Sequence, residues 1–151
     1  MTPSSALTHE PALGVGLIRI DIPNCRAAPG RARAWLAGPV RGSHPGRAED
    51  VLLCLSEAVT NVHRHTTAAV IRIDTVITTL SVLVRVHDDR PAPLDRAPGA
   101  GVEAEGGRGL TLIDACADAW GVTYLGGSRP TGKAVWFSVA REPDGAAGGC
   151  R

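Results

Sequence analysis

Aromatic side chains are scarce in this sequence: one Phe, one Tyr and three Trp among 151 residues, or 3%. The core must then be built from Leu, Val, Ile and Ala. Net charge is also missing, since sixteen Lys and Arg against fifteen Asp and Glu leave +1 at pH 7. That balance predicts no direct nucleic-acid partner and no electrostatic attachment to an anionic membrane. The four cysteines, Cys25, Cys54, Cys116 and Cys150, form no C-x-x-C pair. A chain large enough to bury its own core has little need of a disulfide framework, and Cys54 and Cys116 sit in apolar patterns as small core residues. No stretch approaches the ~20 apolar residues that span a bilayer, and the N-terminus lacks the basic start of a secretion signal. There is no internal repeat. The expectation from these absences is a soluble protein of the reducing cytoplasm.

What is present fits one domain: 44% apolar and 21% charged residues in a length that leaves little room for a second core. Residues 1–12, rich in Pro, Ser, Thr and Ala, read as a flexible arm, residues 141–151 as a flexible tail, and residues 13–140 as the domain. Val15–Ile22 alternates as a strand. Ala27–Leu36 reads as a short helix ending near Gly38-Pro39, and Gly42–Gly46 as a loop. Over Arg47–His65, apolar residues Ala48, Val51, Leu52, Leu55, Val59 and Val62 recur at three- and four-residue steps, the pattern of an amphipathic helix. Ala69–Val76 and Leu80–Val86 read as a hairpin. Asp88–Gly107 has no periodicity, and a loop of that length inside a domain is functional or a misassignment. Gly109–Ala119 reads as helix, and Trp120–Leu125 and Ala134–Ala140 as strands around a turn at Gly126–Gly132. The order predicts an α+β two-layer sandwich, a mixed, mostly antiparallel sheet with helices on one face.

Three clusters could carry chemistry. Glu57, Asn61 and His65 stand at i, i+4 and i+8, one stripe of the long helix set off from its apolar row. A carboxylate and a carboxamide one turn apart can serve a hard cation and a water together; a solvated polar face has the same spacing. His87-Asp88-Asp89 ends an apolar strand, where a carboxylate can accept from an amine or simply start a loop. Glu105-Gly106-Gly107-Arg108-Gly109-Leu110 runs into a helix, where glycines and a helix N-terminus admit phosphate, although any loop-to-helix junction can use Gly.

In sequence order the three match one family. Leu55-Ser56-Glu57-Ala58-Val59-Thr60-Asn61-Val62-His63-Arg64-His65 resembles the N-box of the GHKL ATPases, the superfamily of histidine kinases and DNA gyrase. Val86-His87-Asp88-Asp89-Arg90-Pro91 resembles the G1 box, with Arg90 and Ala92 where the wider superfamily has Gly. Gly107-Arg108-Gly109-Leu110-Thr111-Leu112-Ile113-Asp114 is similar to the G2 box, and Gly132-Lys133-Ala134-Val135-Trp136-Phe137 to the final strand. The likeness covers roughly residues 13–140 and is nearest the actinobacterial anti-sigma-factor serine/threonine kinase branch.

The resemblance implies a Bergerat-type ATP-binding fold with ATP and Mg²⁺ as cofactors. It makes Asn61 the Mg²⁺ ligand and Glu57 the general base, or the group that orients the acceptor. Asp88 would accept from the adenine amino group. Gly107 and Gly109 would cradle phosphates, with Arg108 reaching the γ-phosphate and His65 and Leu110 completing the nucleotide site. The segment Asp89–Gly106 would be the ATP lid. The partners implied are an anti-sigma-factor antagonist, a sigma factor or both, and a second copy of the chain. The length excludes a sensor histidine kinase with its phosphoacceptor helices.

Other motifs fail on chemistry. Gly127–Lys133 has P-loop spacing, but Ala134 replaces the Ser or Thr that binds Mg²⁺ and an apolar strand follows where a helix is needed. His63 and His65, two apart on a helix, diverge and have no partner at ligand spacing. Trp35, Trp120 and Trp136 read as core. Two functional readings stand side by side: a protein kinase, which needs Glu57 at the acceptor hydroxyl, and an ATP-binding regulatory module that acts by protein contact alone. A structural domain with a decayed pocket is the third, to which the changes at Arg90 and Ala92 add some weight, and the kinase is preferred over both.

Overall fold

The long amphipathic pattern becomes α2, Ala48–His65, the helix around which the other elements are arranged. Its buried row runs through Ala48, Val51, Leu52, Leu55, Ala58, Val59 and Val62. Glu49 and Asp50 sit in its first turn and His63, Arg64 and His65 in its last, each sign at the end that the helix dipole favours. The structure is a computed structural model that describes residues 16–89 and 107–143. The arm 1–12, most of the tail 141–151 and residues 90–106 of the expected lid lie outside the described residues.

Before α2 come β1, Gly16–Pro23, and α1, Ala28–Ser43. The expected stop at Gly38-Pro39 is wrong: α1 continues through Pro39 and takes in the start of the expected loop. Pro39 is on the exposed side of the helix, and the N–H that it lacks would otherwise bond the Trp35 carbonyl one turn earlier. Val40, the next step of the buried row Ala28, Ala32, Leu36, holds the last turn against the core. The Ser43 hydroxyl donates to the Pro39 carbonyl at 2.8 Å and the His44 N–H to Val40 at 2.7 Å, closing the end.

The hairpin is β2, Val70–Ile77, and β3, Ser81–Asp88. Thr78 organises its turn, its hydroxyl accepting from the N–H groups of Leu80 at 3.1 Å and Ser81 at 3.0 Å. Then follow α3, Gly107–Cys116, β4, Ala119–Leu125, and β5, Gly132–Ala140. The strands form one five-stranded sheet in the order β1-β2-β3-β5-β4, with all four ladders antiparallel. This is the expected α+β sandwich.

Residues opposite one another in an antiparallel ladder share a face. The rows Ile20–Ile73–Val86–Val135–Val122 and Thr75–Val84–Phe137–Trp120 follow from the register, and Ile73, Val84, Val86, Val135 and Phe137 are fully buried. The other face carries charge. There Arg19 donates to Asp74 at 2.6 Å, His87 lies 2.9 Å from the same carboxylate, and Arg72 pairs with Asp21 at 2.9 Å. Trp136 is on that face too, packed over Gly121, where a Cβ would come within 3.1 Å of its ring. Trp35 and Trp120 pack against the core, as expected, whereas Trp136, expected there too, does not.

Cys54 is fully buried, and that burial, with Asp50 nearby, pushes its thiol up to about 12, so it is inert. Cys116, 3% exposed, is a core residue as its apolar pattern predicts, and it is disulfide-bonded, which the sequence reading did not expect. Among the described residues no helix is long and apolar enough to cross a membrane.

Candidate functional site

The candidate site residues lie on the C-terminal half of α2, at the end of β3 and in the first turn of α3. Asn61 is on α2, one turn after Glu57. It is 7% exposed, and its carboxamide Nδ2 is buried without a hydrogen-bond partner among the described residues. Leaving such a group unsatisfied costs about 1–3 kcal/mol. The two ends of a carboxamide exchange on a half-turn, so this position can offer a donor to a phosphate oxygen or an acceptor to a cation. Glu57 and His65 are half-buried, at the two ends of the same stripe.

Asp88 closes β3 on the helix-facing side of the sheet and is 4% exposed. Opposite it in the ladder stands Lys133, 3% exposed, with its Nζ 3.2 Å from Asp88 Oδ2. Gly132 permits this approach: a Cβ there would lie 2.6 Å from the Asp88 carbonyl oxygen. Sequence reading gave Lys133 no role, treating it as part of the failed P-loop. A signal was present, because Lys133 has the same parity as the apolar inward residues Val135, Phe137 and Val139, and it is the one lysine of the chain.

Thr66, also missed, joins the two halves of the site. Its N–H caps α2 by donating to the Val62 carbonyl at 3.0 Å, and its hydroxyl donates to the Asp89 carboxylate. The C-terminal end of α2 is thereby fastened to the end of β3. His63 is taken elsewhere, its Nδ1 2.7 Å from Asn24 Oδ1, while Asn24 donates to the Ala68 carbonyl at 2.8 Å.

Gly107, Arg108 and Gly109 form the first turn of α3, not a loop ahead of it, since α3 starts two residues earlier than its apolar pattern does. The first N–H groups of a helix have no partner within it and suit an anion. Leu110, 7% exposed, anchors that turn. At the other end α3 stops at Cys116, short of the expected Ala119, because Asp118 N–H is already bonded to Ser138 of β5 at 2.9 Å. Among the described residues no three His, Cys, Asp or Glu side chains cluster as a metal set. A cation at Asn61 would complete its shell with phosphate and water oxygens.

A family model described as "Histidine kinase-like ATPase domain" matches residues 21–139, a span that runs from β1 to β5. A Streptomyces coelicolor protein described as uncharacterized is 42% identical over 93 residues, which is 59% of this chain and 84% of that protein.

Proposed function

The chain belongs to the histidine kinase-like ATPase family, an ATP-binding module, and from that premise we propose that it is an anti-sigma-factor serine/threonine kinase that phosphorylates an anti-sigma-factor antagonist. The observation that carries this reading is the buried, unpartnered end of the Asn61 carboxamide one turn from Glu57. Asn61 would hold Mg²⁺ together with the nucleotide phosphates. The cation supplies charge neutralisation on the transferred group. Asp88 accepts from the adenine amino group, the N–H groups of Gly107 and Gly109 face the phosphates, Arg108 reaches the γ-phosphate, and His65 and Leu110 line the site. Glu57 takes the proton of the acceptor hydroxyl as that oxygen bonds to the γ-phosphorus and the bond to the leaving oxygen of ADP breaks. A sigma factor and a second copy of the chain are the further partners of this reading.

Labelled ATP, Mg²⁺ and candidate antagonist proteins separate transfer from binding. A general base contributes about 10²–10⁴ in rate and little to ground-state affinity. Glu57→Ala should therefore retain ATP affinity and lose transfer by about that factor. It should remain folded, because Ala is the best helix former and position 57 lies off the apolar row. Transfer at the wild-type rate by the variant removes Glu57 from the chemistry. Tight Mg·ATP binding by wild type with no transfer to any antagonist leaves an ATP-binding regulatory module that acts by protein contact.

A further inference from the structure

The helix-facing side of the sheet is apolar except at one corner. The register places Ile, Val, Phe and Trp along its rows, with Thr75 the one polar residue away from the end formed by Asp88, Lys133 and Tyr124. Asp88 and Lys133 are the only charged residues of the strands on that face, and their side chains are 1% and 4% exposed. Replacing a buried ion pair with well-packed apolar residues is often neutral or stabilising. Stability alone therefore gives little reason for a lysine in an otherwise apolar inward row. The pair does provide a carboxylate acceptor and an ammonium donor side by side, 3.2 Å apart, at the end of the sheet beside the C-terminal end of α2.

That arrangement matches one edge of a purine. Adenine presents an amino donor at C6 and, next to it, an acceptor at N1. Guanine and hypoxanthine present a carbonyl at C6 and an N–H at N1. An acceptor and a donor held in fixed order satisfy both groups of adenine. With the other two bases the same order opposes acceptor to acceptor and donor to donor. We propose that Lys133 is a specificity-determining residue that donates to N1 of adenine while Asp88 accepts from its amino group. The inference rests on the reading of Asp88 as the residue that faces the base. It adds a second contact from β5, held in place by the close approach of Gly132 to the Asp88 carbonyl oxygen.

The test uses ATP and 1-deaza-ATP, in which N1 is a C–H and the amino group is kept. Calorimetry with Mg²⁺ on the whole chain should show wild type binding ATP about tenfold or more tightly than 1-deaza-ATP, the discrimination of a hydrogen bond from a charged donor. Lys133→Met should bind the two equally. A lysine that only neutralises Asp88 would not distinguish them, so equal binding by wild type overturns the proposal. So does a ratio that survives unchanged in Lys133→Met. If Lys133→Met does not fold, Lys133→Leu, which likewise offers no donor to N1, takes its place in the same comparison. The triphosphate of purine riboside, which keeps N1 and lacks the amino group, tests the parent reading separately. If wild type binds it as tightly as ATP, Asp88 does not face the base. Loss against that analogue combined with equal ATP and 1-deaza-ATP binding leaves Asp88 in place and removes only Lys133.

Discussion

The two ends of α2 treat buried polar groups in opposite ways. At the N-terminal end Arg47, 8% exposed, donates to Asp50 at 2.9 Å and to Asp118 at 3.3 Å. It also donates to the carbonyls of Cys116 and Ala140, each at 3.1 Å. One guanidinium thus fastens α2 to the end of α3 and the end of β5, and its donors go to protein acceptors. At the C-terminal end Asn61 is as deeply buried, and its carboxamide has an end with no partner among the described residues. At the first end the Arg47 guanidinium is satisfied by protein acceptors and serves the fold, and beside it only the His44 Nε2 is buried without a partner among the described residues. The second end keeps hydrogen-bonding capacity that the described residues do not use, as a ligand site requires.

The comparison breaks most visibly at Arg47. Arg47→Met should leave Asp50, 5% exposed, without its counter-charge and strand two carbonyls. Removing one partner of a buried pair typically costs about 3–5 kcal/mol. Urea unfolding should show a loss of that size, with ATP affinity per folded molecule unchanged. A loss below ~1 kcal/mol would mean that the Arg47 end does not hold the fold.

A smaller effect should appear with pH, and it too strikes the Arg47 end first. Burial, reinforced by the nearby Arg141 charge, holds the pKa of His44 below its ordinary 6.5. The unfolded chain then takes up this proton more readily, so the His44 contribution is whole above pH 6.5 and is lost as pH falls through the lowered folded value. Hydrogen bonds from Arg72 hold Asp21 below 3.8. For Asp74, burial pushes upward, but hydrogen bonds from Arg19 and His87 outweigh it and the net shift is also downward. Stability from these carboxylates is whole above pH 3.8 and is lost as pH falls through their lowered values. Unfolding free energy measured against pH should therefore decline in two stages. His44→Gln should remove the first stage, starting below 6.5, and leave the second.

Much of this was legible because it is local. The three- and four-residue spacing on α2 placed Glu57 and Asn61 on one stripe, and alternation in β2 and β3 brought Asp88 to a strand end. What was missed depends on contacts between distant segments. No periodicity says that β5 inserts between β3 and β4, and that insertion sets Lys133 opposite Asp88. Arg47 reads locally as the start of a helix, yet its partners lie near residues 116–140. Pro39 looked like a helix stop because a sequence does not say that Val40 beyond it still packs in the core.

The most direct test of the contrast is one variant measured two ways. Asn61→Ala removes the unpartnered amide and puts a better helix former in its place. Calorimetry with Mg²⁺ should show ATP affinity falling at least about tenfold, or ~1.4 kcal/mol, while urea unfolding shows no loss of stability. Unchanged Mg·ATP binding, or a stability loss of ~2 kcal/mol that accounts for weaker binding, would show that Asn61 is not held for a ligand.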